Sequence, residues 1–191
     1  MTGRPCSDLP PDAVQRAELA ALETWRVAAL LLGDETEALR LVESTVAAVD
    51  VDPCADPAAV KGLVRDRVLD GALALMHHQD PACFAEVPGG NTASSCLDED
   101  SAPLSTEDLA DLVSGSGRSR LRSWLDRLSQ AQRAVFVQRA VLGRSNADTA
   151  RAINRFARPS VWTPDAVGRL FREALCSLAS ALAHTATVHA W

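Results

Sequence analysis

Between positions 81 and 117 the chain lacks the means to build a core. Pro, Gly, Ser, Thr, Asn and Asp fill 20 of those 37 positions, and such a stretch buries too little apolar area to offset the ordering of its own backbone. It reads as a linker, and it divides the 191 residues into two stretches of small-domain size. The expected domains are therefore 11–80 and 118–186, with 81–117 between them. One short helix is expected inside the linker at Thr106–Val113, capped by Ser105, with Leu109, Leu112 and Val113 as its docking face.

Both flanking stretches place apolar residues at helical spacing, and no segment sustains the alternation of a strand. Asp12 can cap a first helix running to about Leu32 through Val14, Leu19, Leu22, Trp25, Val27, Ala29 and Leu30. Gly33 suits the left-handed residue that ends a helix, and Asp34 suits the cap of the next. That second helix, about Glu35–Val49, carries a stripe of Ala38, Leu41, Val42, Thr45 and Val46. A third, about Pro57–His78, carries Val60, Leu63, Val64, Val68, Leu69, Leu73 and Met76. Three helices with short loops make a small bundle. After the linker, Leu121, Trp124, Leu125 and Leu128 mark one helix. Ser129 opens another, about Gln130–Leu142, which Gly143 ends. Ser145 or Asn146 caps a short helix to about Ile153. Thr163-Pro164-Asp165 opens a last long helix, with Thr as cap and Pro at the first helical position. Trp162, just before that cap, can pack as a staple. The fold class is all-α: an N-terminal three-helix bundle, a linker and a C-terminal four-helix module.

Charge divides where the linker does. The chain has a net charge of −6, but residues 1–117 hold 7 basic and 21 acidic side chains, whereas residues 118–191 hold 12 and 4. An acidic interaction surface joined to a basic, nucleic-acid-facing module is the reading such an asymmetry suggests. A coding bias towards arginine explains why all but one of the basic residues, Lys61, are Arg. It does not explain their segregation.

Several function classes drop out. No apolar run approaches the length of a membrane span, and the N-terminus lacks the apolar region of a secretory signal, so a cytoplasmic protein with no membrane partner is expected. The five cysteines, Cys6, Cys54, Cys83, Cys96 and Cys176, then read as free thiols. His77 and His78 are adjacent and point about 100° apart on a helix, so they share one ion poorly with Cys83 and Cys96; no metal and no cofactor is expected. There is no phosphate-binding glycine loop, no zinc-protease motif and no nucleophile elbow. Ser129, Cys176 and His184 form no recognisable triad, and the expectation is that the chain is not an enzyme.

Two short helices joined by a turn, the second well capped and carrying Arg, fit a helix-turn-helix, which puts the start of its second helix into the major groove. The candidate DNA-binding residues are Arg151, Arg155, Arg158, Thr163, Arg169 and Arg172, with the Arg of the first helix and turn reaching phosphates. The bland alternative is a packing unit with a solvated Arg face.

The run Leu128-Ser-Gln-Ala-Gln-Arg133-Ala-Val135-Phe136-Val-Gln-Arg139-Ala-Val-Leu-Gly143-Arg-Ser145-Asn-Ala-Asp148-Thr149-Ala150 resembles region 4 of bacterial σ70-family sigma factors of the extracytoplasmic-function type. The family pattern reads Leu-Pro-x-x-x-Arg-x-Val-Phe-x-Leu-Arg-x-x-x-Gly-x-Ser-x-x-Glu-Ile-Ala. Its recognition-helix pattern falls on Ala166–Phe171, where Gly168 and Leu170 stand at usual Lys and Arg positions. Gly33-Asp34, Ala38, Leu41, Val42 and Val46 resemble the family's region 2, which docks on RNA polymerase core. Bundle, linker and helix-turn-helix follow the family's domain plan. The resemblance implies a polymerase-binding segment at Asp34, Glu35, Glu37, Leu41, Val42 and Glu43, and promoter DNA as the partner of the C-terminal module. The chain departs from the family at Arg40 and Ser44, which replace acidic positions, and in a third helix without the aromatic residues that a strand-separating surface uses for stacking. The turn, about Asn154–Trp162, is longer than usual. Two readings stay open: a sigma-like initiation regulator, and a sigma-fold interaction protein that binds an anti-sigma factor or other regulator without initiating transcription.

Overall fold

Helix ends decide the architecture, and local chemistry sets most of them. A computed structural model describes residues 13–49, 56–85 and 118–188. Among these the chain is all-helical, with no strand. The helices are α1 (Ala13–Leu32), α2 (Glu35–Ala48), α3 (Pro57–Gln79), α4 (Arg118–Leu125), α5 (Gln130–Phe136), α6 (Asn146–Asn154) and α7 (Pro164–Val188). The proposed Asp12 cap, the Thr106–Val113 helix, Cys6, Cys54 and Cys96 lie outside the described residues. No described helix is long and apolar enough to cross a membrane, and no described group of His, Cys, Asp and Glu could hold a metal.

The chain divides into two compact units, Met1–Leu75 and Met76–Trp191. In the first, Gly33 takes a left-handed φ of 74° and its N–H closes on Ala29 O at 2.9 Å, ending α1. Asp34 then accepts from the Thr36 and Glu37 amides at 2.7 and 3.0 Å and caps α2. Trp25 donates its indole N–H to Glu35 O at 3.2 Å. Ala28 and Ala29 of α1, Ala38 and Val42 of α2 and Val68 of α3 form one buried cluster, flanked by Trp25, Leu32, Leu41 and Val64. A Cβ on Gly71 would lie 2.7 Å from Leu41 Cδ1, so the Leu41 side chain of α2 occupies the space that a side chain at this position of α3 would take. Only Ala38 and Val42 of α2 are fully buried. Val46, which the spacing places on the inward stripe, is 50 % exposed, and Leu63 of α3 is 45 % exposed.

The second unit takes in the last turn of α3 and the turn that follows. Its core gathers Met76, Phe84, Leu121, Trp124, Leu125, Phe136, Ile153, Trp162, Leu170 and Leu178. Trp124 meets Phe136 edge-on, with centroids 4.8 Å apart, and its N–H reaches Ser177 Oγ at 3.2 Å. Ser129 and Gln132 form a reciprocal capping box at α5. The Arg133 side chain donates to Leu125 O at 3.1 Å, tying α5 to the end of α4, and its burial lowers the guanidinium pKa from the usual range.

Spacing predicts one α-helix over 130–142, but α5 gives way to a π turn at Val137–Val141. There the Leu142 N–H reaches back to Val137 O at 3.1 Å. The wider turn goes with an inward Gln138, 1 % exposed, whose Oε1 accepts from Arg144 Nη1 at 3.3 Å. Periodicity counts apolar positions and could not anticipate an amide in the core. Gly143, with φ 65°, ends the segment. One expectation is overturned: Cys176 is disulfide-bonded, not a free thiol. Spacing in the sequence does not reveal which sulfurs meet in space. Cys83 is a free thiol, pushed up to about 11 by burial and then by Asp80.

Candidate nucleic-acid interface

The residues singled out for DNA lie on α6, on α7 and on the nine residues that join them, Arg155–Thr163. Ser145 caps α6 by accepting the Asp148 amide at 3.0 Å, and its hydroxyl donates back to the Asp148 carboxylate at 2.6 Å. That bond, and then the nearby Arg151 and Arg144, hold the Asp148 carboxyl below its ordinary range. Arg151 is exposed and pairs with Asp148 on its own helix.

Thr163 caps α7. Its Oγ1 accepts the Ala166 amide at 3.2 Å and its carbonyl accepts the Val167 amide at 3.1 Å. Thr163, Pro164 and Asp165 are exposed, as are Arg155, Arg158 and Arg172, whereas Arg169 is half-buried. Gly168 and Leu170 are buried. A Cβ on Gly168 would lie 3.0 Å from Asn146 Nδ2 and 3.9 Å from Arg172 Nη1, so α7 lies close against the start of α6. The positions where the resemblance implies Lys and Arg are therefore both buried.

The connector is built into the unit. Asn154 accepts the Trp162 amide at 2.7 Å and donates to the Trp162 carbonyl at 2.9 Å. Trp162, 2 % exposed, donates its indole N–H to Phe84 O at 3.0 Å. Ser160 donates to Ala85 O, and the Phe156 ring lies 6.4 Å from His77. Sequence reading gave Asn154 and Phe84 no role. An Asn eight positions before a Trp, at the end of a helix, is the one signal that could have marked the former.

Two arginines of the resemblance motif serve packing. Arg133 joins α5 to α4, as above. Arg139 donates to Arg144 O and lies over the Phe171 ring, 5.2 Å from its centroid.

On α2, Asp34, Glu35 and Glu43 are exposed and Glu37 is half-buried. Leu41 and Val42 belong to the unit's own apolar cluster. The apolar side chains that α2 turns outward are Leu39, 48 % exposed, and Val46. The sign that could have marked Leu39 is its place off the inward stripe. No protein-family model matches the chain, and no match was found among curated proteins or among solved structures.

Proposed function

We propose that this protein is a sigma-factor-like regulator of transcription initiation. Its N-terminal unit takes RNA polymerase core through the outer face of α2. Its C-terminal unit takes promoter DNA with α6, the connector and α7 as a helix-turn-helix. The chain carries no chemistry of its own in this reading; it directs that of the polymerase. The observation that carries the reading is the start of α7. An exposed, well-capped helix end is set on a buried base and accompanied by exposed Arg151, Arg155, Arg158 and Arg172. Phosphate contacts from such arginines make affinity fall steeply with salt. On α2, exposed Leu39 and Val46 beside Asp34, Glu35 and Glu43 supply an apolar strip with acidic flanks.

A second reading rests on the burial of Gly168 and Leu170, which leaves α7 few base-reading side chains. In it the chain is a sigma-fold interaction protein that binds an anti-sigma factor or other regulator without initiating transcription. Gel shift at low salt, pull-down of core polymerase and transcription in vitro separate the two. Specific initiation with core enzyme establishes the first. Loss of both DNA and core binding in folded protein excludes it.

A further inference from the structure

We propose that the connector Arg155–Val161 is a second, preorganised DNA-contacting element, set in place by Asn154, Trp162 and Phe84. The proposal rests on the DNA-binding reading above and deepens it.

An irregular segment of this length ordinarily loses backbone freedom when it binds. Here folding has already removed that freedom. Asn154 holds both polar groups of the Trp162 backbone, at 2.7 and 2.9 Å. The Trp162 ring is buried and its N–H is held by Phe84 O at 3.0 Å. Ser160 is tied to Ala85 O, and Ala157 is buried. All of these partners belong to the same unit as the connector.

Between the anchors the exposed side chains are Arg155, Arg158, Pro159 and Val161. Val161, at 69 %, is the most exposed large hydrophobic residue among those described. Arg158 has no acidic partner among the described residues. Two exposed arginines and an exposed apolar side chain thus sit on an anchored backbone. A polyanion with apolar sugar and base edges answers that chemistry: the arginines meet phosphates, and Val161 meets a deoxyribose or thymine methyl surface. Arg155 and Arg158 are the contacts. Asn154, Trp162 and Phe84 are positioning residues.

The test uses the full chain and a fluorescently labelled mixed-sequence DNA duplex, with anisotropy titrations at salt between about 50 and 200 mM. Arg158→Ala lowers the slope of log affinity against log salt by about one, as loss of one phosphate contact does. Asn154→Ala and Trp162→Phe leave every arginine in place, yet each lowers the slope by about one as well. Arg65→Ala, in the other unit, retains the parent slope. Circular dichroism confirms folding; where an anchor variant does not fold, Arg158→Ala lowering the slope and Val161→Ser weakening binding at every salt concentration support the proposal, and both variants matching the parent overturn it. Folded Asn154→Ala and Trp162→Phe with the parent slope overturn the proposal and leave DNA binding by α7 standing. A parent chain that binds no DNA overturns the DNA-binding reading itself, and this proposal with it.

Discussion

Gly168 sits where α7 passes close to the Asn146 side chain at the start of α6. A Cβ there meets Asn146 Nδ2 at 3.0 Å. Replacing Gly by another residue inside a helix ordinarily gains up to ~1 kcal/mol. Gly168→Lys, which installs the family's basic residue, is nevertheless expected to destabilise by ~1–3 kcal/mol, because its stem overpacks a buried position beside Asn146 and Arg172; urea denaturation measures it. Asp148 gives a pH test. Its carboxyl titrates below the ordinary range in the folded chain, so its stabilising effect is present above the unfolded pKa. That effect is lost as pH falls through the lower folded value. The stability difference between the parent and Asp148→Ala is expected to be largest near neutral pH and to fall to its pH-independent part well below about pH 4. Cys83, held as a thiol by burial and by Asp80, is expected to alkylate more slowly at pH 8 than in the unfolded chain, measured by mass spectrometry.

At the scale of elements, what could be read from sequence was what neighbouring residues decide among themselves. Gly33 and Gly143 end helical segments through a left-handed φ, and Asp34, Ser129, Ser145 and Thr163 open helices through a side-chain oxygen, because a cap needs only three or four adjacent residues. The connector was legible as a long turn carrying Arg155 and Arg158, but its anchor was not. Trp162 finds its partner 78 positions away, at Phe84. The π turn and the Cys176 bond escaped for the same reason: each depends on what meets the residue in space. The inward stripe of α2 was legible as far as Ala38, Leu41 and Val42, and Val46 fell on the other side. If α2 is the polymerase-binding element, Leu39→Arg is expected to shift stability by no more than ~0.5 kcal/mol, since the site is exposed. It is expected to abolish capture of core polymerase in a pull-down. Equal capture by parent and variant places that contact elsewhere.

On the scale of the whole molecule, the unit boundary at Leu75 and Met76 gives the C-terminal unit a part of α3 that lies well before the linker. A fragment beginning at Arg118 lacks Phe84 and Met76, both buried in that unit. It is expected to be less stable than one beginning at Met76 by at least the ~3–5 kcal/mol that loss of a buried phenyl ring costs. Thermal melts of the two fragments check this. The buried indole of Trp162 has a further use. The chain has 4 tryptophans and no tyrosine, so emission excited beyond the absorption of its phenylalanines comes from indole alone. Trp25 belongs to the first unit, half-buried, and Trp124 and Trp162 to the second, both buried. Each unit therefore carries its own optical label, and variants that keep one indole can report the loosening of one unit while the other stays folded.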